Sequence, residues 1–177
     1  IPYLLDENES LFNGLYRIDN YALFFKVLSM AIGGVVILGS IHYVNRYLTH
    51  PGEYYAILLF SVLAMMMMAA SGELLTAYLS LELLSFCLYI LSGFALQDKK
   101  SNEASVKYIL LGAFSSAILL YGISQVYGLL GTTRFDGIGE ALAANPDLSP
   151  GVVIGLVFIV AGLGFKVAAV PFHMWAP

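Results

Sequence analysis

Long apolar runs separated by short polar connections dominate this sequence. Five runs approach or exceed the ~20 residues that an α-helix needs to cross roughly 30 Å of hydrocarbon. They are residues 21–43, 54–70, 74–96, 104–130 and 151–170. This pattern predicts an all-α integral membrane protein with five transmembrane helices, arranged as a bundle over residues 21–177.

The first twenty residues follow a different pattern. Residues 1–20 mix polar and apolar positions around a turn-like Asn13-Gly14 pair, which favours a β-hairpin on the membrane surface.

The chain has no initiator Met and stops at Pro177 soon after an apolar run. We therefore expect a fragment of a longer polypeptide.

Two further features are predicted towards the end of the chain. The longest connection, residues 131–150, has room for a small surface helix around residues 138–144. The last apolar run precedes Pro171, which has no N–H to donate to the carbonyl four residues back. We therefore expect this helix to kink or break near Pro171, close to Lys166.

Composition supports the membrane assignment. The chain is 59% hydrophobic and only 11% charged, whereas about a quarter of the residues of soluble proteins are charged. The net charge of -4 comes largely from polar connections, so we expect the lipid bilayer and no nucleic acid as a partner.

The sequence offers no set of residues for a cofactor or metal. Cys87 is the single cysteine, which excludes an intrachain disulfide and a cysteine-bound cluster. The chain also has no Gly-x-Gly-x-x-Gly motif after a strand and no paired His for haem. We expect no cofactor, no metal and no redox catalytic residue in this chain.

Basic residues are unevenly divided between the two ends of the predicted helices. One face carries Arg46, Lys99 and Lys100, and the other carries Arg17 and Arg134. Because Lys and Arg are enriched in cytoplasmic loops, the loop of residues 97–102 is expected in the cytoplasm or its equivalent.

Three ionisable side chains, Glu82, Lys107 and Lys166, lie in or against the apolar runs. A charge near the centre of the bilayer costs roughly 2.5 to 3.5 kcal/mol even on insertion scales, so such residues tend to face the bundle interior and mark ion pathways. Glu82 lies too deep to reach the surface. Lys166 adjoins the predicted break. Lys107 is only about one turn into its run, where its stem also allows the charge to reach the surface.

Ser85 and His173 are candidate relay residues. Ser85 lies three positions after Glu82 on roughly the same helical face. His173 follows Pro171, where an imidazole titrates near neutral pH. Packing for Ser85 and an interfacial position for His173 explain these residues equally well.

Several motifs in this order resemble the antiporter-like membrane subunits of respiratory complex I, of the subunit N (subunit 2) type. They are LSLELLS at residues 79–85, EASVKY at 103–108, LGAF at 111–114, GFK at 164–166 and VPFHMWAP at 170–177. The resemblance covers nearly the whole chain and is weakest in residues 1–20.

This resemblance implies a full subunit that contains inverted repeats with broken helices. The chain corresponds to the third to seventh helices of that subunit. Glu82 matches the glutamate of the fifth helix, Lys107 the lysine of the sixth and Lys166 the lysine of the broken seventh. It implies a proton-translocating subunit of NADH:quinone oxidoreductase, an enzyme whose redox chemistry lies in other subunits. The expected partners are other complex I membrane subunits, and the expected location is an energy-transducing membrane, the bacterial inner (plasma) membrane.

Two alternatives stay open. A subunit of a multi-subunit sodium/proton antiporter shares the same Glu and Lys positions by the same resemblance. A structural membrane scaffold, in which the buried charges serve only as helix-helix contacts, is the other.

Overall fold

A computed structural model describes residues 9–144 and 149–173. Two short strands and six helices make up most of this part of the chain. The strands are β1 (Glu9–Leu11) and β2 (Tyr16–Ile18), and the helices are α1 (Asn20–Tyr47), α2 (Pro51–Ala69), α3 (Leu74–Ser92), α4 (Lys99–Leu130), α5 (Phe135–Ala144) and α6 (Pro150–Lys166). Within the described residues, α1 to α4 are long and apolar enough to cross a membrane.

The fifth predicted span is shorter than expected. The apolar run of residues 151–170 forms α6, a helix of 17 residues that ends at Lys166. At 1.5 Å per residue it extends about 25 Å, less than the ~30 Å hydrocarbon core. The structure therefore has four helices of spanning length among its described residues and one shorter apolar helix, and five spans are not confirmed.

The end of α6 comes before Pro171 and has its own cause. Ala168 adopts a left-handed backbone conformation with φ of 52°. Its N–H donates to Phe165 O at 3.0 Å, and the Ala169 N–H donates to Gly164 O at 2.8 Å. These two bonds form the Schellman motif that closes many helices. The helix ends at Lys166 because the chain turns here, with its last carbonyls already bonded.

The predicted hairpin is present as a small strand pair. β1 and β2 are antiparallel, with Glu9 opposite Ile18 and Leu11 opposite Tyr16. Between them Asn13 has φ of 56°, the left-handed conformation that Asn tolerates better than most residues. The predicted hairpin is confirmed as this small strand pair, and residues 1–8 lie outside the described residues.

The predicted surface helix is also present in the long connection. α5 begins at Phe135, three positions before the predicted start at residue 138, and both end at residue 144. Residues 145–148 of the same connection lie outside the described residues.

The chain forms two compact units, Ile1–Gly72 with Thr76–Val106, and Glu73–Leu75 with Lys107–Pro177. In the first unit the hairpin is fixed to the segment that follows α2. Arg17 N–H donates to Ala70 O at 2.7 Å, and Gly72 N–H donates to Leu15 O at 2.8 Å. A Cβ at Gly72 would lie 2.0 Å from Gly14 O, so this contact admits only glycine at that position.

In the second unit, glycines bring the backbones of α4 and α6 close together. A Cβ at Gly122 of α4 would lie 2.8 Å from both Gly155 O and Ile159 N of α6. A Cβ at Gly162 would lie 2.7 Å from Leu119 Cβ. Small residues at such contacts allow close helix packing in membranes, where lipid gives no hydrophobic drive for association. The relative position of α4 and α6 therefore depends on these glycines.

Gly122→Ala should destabilise the second unit, because its new methyl group would press on backbone atoms of α6. Overpacking of this kind costs about 1–3 kcal/mol. Gly128→Ala, on the same helix and with nothing within 4 Å of its Cβ position, should have no effect or stabilise by up to about 1 kcal/mol. Thermal unfolding of the detergent-solubilised protein measures both variants. Equal midpoints for the two would contradict the packing described above.

Candidate functional site

Lys166 is the last residue of α6, and it is bonded to a side chain of α4. Its Nζ donates to Ser116 Oγ at 3.0 Å. Lys166 is half-buried, whereas Ser116 is buried, with 6% of its surface exposed. The structure therefore places the Lys166 amine against a buried hydroxyl where the two helices meet.

The neighbouring serine makes a second bond between the same helices. Ser115 Oγ donates to Gly162 O at 3.1 Å, about one turn before Lys166 on α6. The two serines thus contact the last turn of α6 through different groups, a backbone carbonyl and an ammonium. Neither Ser115 nor Ser116 was predicted from the sequence. The only signal was a pair of adjacent hydroxyls inside an apolar run.

Lys107 lies on α4 at some distance from this contact. It is exposed, and it precedes Ser116 by nine positions, which is about 13 Å along the helix axis. Nine residues at 100° each also place the two on opposite faces of α4. A proton passing between Lys107 and Lys166 would therefore need intermediate water molecules or side chains.

Glu82 lies near the middle of α3 in the first unit, and it is half-buried. Ser85 is buried, and its hydroxyl donates to Leu81 O at 2.8 Å inside the same helix. This bond occupies the serine proton but leaves Oγ able to accept a further hydrogen bond. The relay role of Ser85 stays a prediction.

His173 lies beyond the end of α6 and is exposed. The segment that leads to it turns back, because Phe172 N–H donates to Ala169 O at 2.6 Å. A Cβ at Gly164 would lie 3.2 Å from the Phe172 ring, so the segment after Lys166 packs against the end of α6. The relay role of His173 also stays a prediction.

A buried carboxylate that sequence reasoning missed lies at the start of α3. Glu73 is 8% exposed, and the Thr133 hydroxyl donates to its Oε2. The backbone continues this contact, because Leu74 N–H donates to Thr133 O at 2.9 Å and Glu73 pairs with Arg134 in an antiparallel bridge. In the sequence Glu73 resembles an ordinary acid of a polar connection. Its burial depends on a segment about sixty residues away.

Glu73→Ala should destabilise the second unit, since the half-buried Thr133 hydroxyl would lose its buried carboxylate partner. Loss of a buried hydrogen bond of this kind costs about 1–3 kcal/mol. The exposed Glu140 of α5 provides a matched control, and Glu140→Ala should change stability by less than about 0.5 kcal/mol. Thermal unfolding in detergent is again the measurement, and an unchanged midpoint for Glu73→Ala would contradict the structural role.

Metal-ligand residues do not converge in the described residues. There, no three His, Cys, Asp or Glu side chains are grouped closely enough to hold a metal ion.

The sequence of residues 71–177 matches the family model for the transmembrane part of NADH:quinone oxidoreductase/Mrp antiporter proteins. The chain belongs to this family. This match contains Glu82, Lys107, Lys166 and both serines, and it confirms the resemblance found from the sequence motifs.

Individual members of the family agree with this assignment. NADH-quinone oxidoreductase subunit N of Moorella thermoacetica is 49% identical over 164 residues, which cover 93% of this chain and 34% of that protein. The chain thus spans about a third of the length of the curated relative.

Chains of solved respiratory complexes have a similar fold. A chain of the membrane-bound sulfane sulfur reductase, an archaeal respiratory membrane complex, matches with a TM-score of 0.79 and 25% identity over 92% of this chain and 32% of that chain. A chain of respiratory complex I from Thermus thermophilus matches with a TM-score of 0.73 and 30% identity over 97% of this chain and 36% of that chain.

Proposed function

We propose that this chain is part of a proton-translocating membrane subunit of an NADH:quinone oxidoreductase. The family membership and the relative named subunit N support this proposal. The apolar helices α1 to α4 suit a multi-pass subunit of an energy-transducing membrane. Because that relative is bacterial, we place the subunit in a bacterial plasma membrane, with other membrane subunits of the same complex as its partners.

The contact between Lys166 and Ser116 is the observation that carries the proposal. An amine at the end of an apolar helix has to be held by polar groups, because hydrocarbon does not solvate it. The hydroxyl supplies a hydrogen bond at 3.0 Å and adds no charge of its own. This contact is therefore compatible with a lysine that gains and loses a proton, and it does not by itself fix the charged form.

In this proposal Glu82, Lys107 and Lys166 each take up and release protons. A carboxyl or an amine removed from water changes its protonation when the charge or hydration around it changes. The helix geometry separates Lys107 from Ser116 by about 13 Å, so we assign the transfer between the lysines to a chain of water molecules. Ser85 and His173 are further candidates for relaying protons in the same subunit.

We assign the electron transfer of the complex to other subunits. In that case the chain takes part in an enzyme reaction by conducting protons, and it binds neither the nicotinamide nor the quinone. We propose no cofactor and no metal for this chain.

Lys166→Ala and Glu82→Gln should each lower proton pumping in the assembled complex by about tenfold or more, because each removes a group that carries protons. Lys99→Ala is the matched control, since Lys99 is exposed at the start of α4 and should leave pumping unchanged. Proton uptake into proteoliposomes, measured per unit of assembled complex, distinguishes the variants.

Normal pumping in both the Lys166 and the Glu82 variants would defeat this assignment. Loss of assembly, with pumping per assembled complex unchanged, would instead favour a structural membrane scaffold. That reading treats the same charges as contacts between helices.

A sodium/proton antiporter subunit is the second candidate, because the matching family includes the Mrp antiporters. Replacing sodium with choline on both sides of the membrane distinguishes the two functions. The redox-driven subunit should pump protons at an unchanged rate, whereas an antiporter would lose proton movement when its counter-ion is removed. Proton flux that depends on sodium and not on NADH would overturn the proposed function.

A further inference from the structure

We infer that Ser116 is a positioning residue that holds the Nζ of Lys166 in both of its protonation states. This inference rests on the proposed function, because it assigns a role in proton translocation to a second residue. Three observations carry it: the hydrogen bond itself, the rigid helix contact around it, and the chemistry of a hydroxyl beside an amine.

The position of the serine oxygen is set by the backbone. A serine side chain has one rotatable bond to its oxygen, so the α4 backbone leaves Oγ few positions. The backbone is in turn held against α6, since a Cβ at Gly162 would lie 2.7 Å from Leu119 Cβ. The Ser116 hydroxyl is thus a fixed point, to which the flexible lysine stem brings its Nζ at 3.0 Å.

A hydroxyl is able to bond both forms of the lysine. It has one donor and two acceptor lone pairs, whereas an ammonium only donates. When Lys166 is charged, Ser116 Oγ accepts a hydrogen bond from it. When the ammonium has lost a proton, the neutral amine gains a lone pair, and the hydroxyl can turn and donate to it.

Other groups in the same place would favour one form. A backbone carbonyl only accepts, so it bonds the amine N–H but offers nothing to the nitrogen lone pair. A carboxylate would add a negative charge that favours the ammonium. Serine bonds both forms and adds no net charge, which suits a lysine that must change its protonation repeatedly.

Ser116 keeps its own proton throughout this cycle. The proton that moves leaves Nζ for a water molecule or an acidic side chain, and the electron pair of the broken N–H bond stays on nitrogen. The serine only reorients its hydroxyl, so it acts through Lys166 and does not carry protons itself.

Ser115 is the matched control that the structure offers. It neighbours Ser116 on α4, is also buried, and also bonds α6, but its partner is the Gly162 carbonyl. Ser115→Ala therefore removes a helix-helix hydrogen bond and leaves the lysine contact in place. Ser116→Thr keeps the hydroxyl, whereas Ser116→Ala removes it.

The test measures proton translocation per assembled complex in proteoliposomes, with each variant made in the full-length subunit. Ser116→Ala should lower translocation by about tenfold, because a hydrogen bond to a charged group contributes at least about one factor of ten in equilibrium. Ser116→Thr should restore at least about half of the wild-type rate, and Ser115→Ala should stay within about twofold of it, since both keep a hydroxyl beside Lys166. Thermal midpoints of the two alanine variants should fall by similar amounts.

Two results would overturn the inference. One is a wild-type rate for Ser116→Ala. The other is an equal loss for Ser115→Ala and Ser116→Ala without rescue by threonine, since this would show that packing alone is responsible. Lys166→Ala is measured beside them: if it pumps normally the proposed function fails, whereas an impaired Lys166→Ala with a normal Ser116→Ala refutes only the role of Ser116.

Discussion

The close approach of α4 and α6 is the constraint on which the rest of the second unit depends. Lipid tails are as apolar as leucine side chains, so two helices in a membrane associate only where their surfaces fit closely or share hydrogen bonds. Glycines supply the fit here, since a Cβ at Gly122 would lie 2.8 Å from backbone atoms of α6. The serines supply the bonds. Without this fit the short Ser116 side chain would not reach the amine of Lys166.

The membrane helices were predictable because the thickness of the bilayer sets their length. Backbone groups in hydrocarbon must be bonded within the chain, so a long apolar run has little choice other than a helix. α1, α2 and α3 accordingly follow the predicted runs within a few residues. α4 starts earlier than predicted, at Lys99, because Asp98 caps it: its side chain accepts from Lys100 N–H at 2.9 Å. Polar residues there continue the helix beyond the apolar run.

Pro171 predicted a break close to Lys166, but the residue at which α6 ends was not predictable from the apolar pattern. Residues 167–170 are as apolar as the helix before them, and no proline, glycine or polar residue among them marks a stop. The left-handed conformation of Ala168 ends the helix. This conformation costs free energy for alanine, because of its Cβ, but not for glycine. The tertiary contacts around this turn, such as the packing of Phe172 near Gly164, have to stabilise it.

Some residues of the candidate site were also predictable from the sequence, and others were not. Glu82, Lys107 and Lys166 stood out because a charge in an apolar run is costly, which is a property of the sequence alone. Ser116 and Glu73 did not stand out, because serine is common in membrane helices and an acid is common in connections. Their roles depend on partners fifty and sixty positions away in the sequence. Only the folded structure shows that these residues are in contact.

The position of Lys166 at the very end of α6 has an electrostatic consequence. The peptide dipoles of a helix sum to a partial negative charge at its carboxyl end, which stabilises a cation there by about 0.3–1 kcal/mol, and by up to about 2 kcal/mol when the end is partly buried. The ammonium lies in this field because the helix stops at Lys166. In the proposed function, release of a proton from Lys166 works against this field, so the turn that ends the helix raises the free energy of that step.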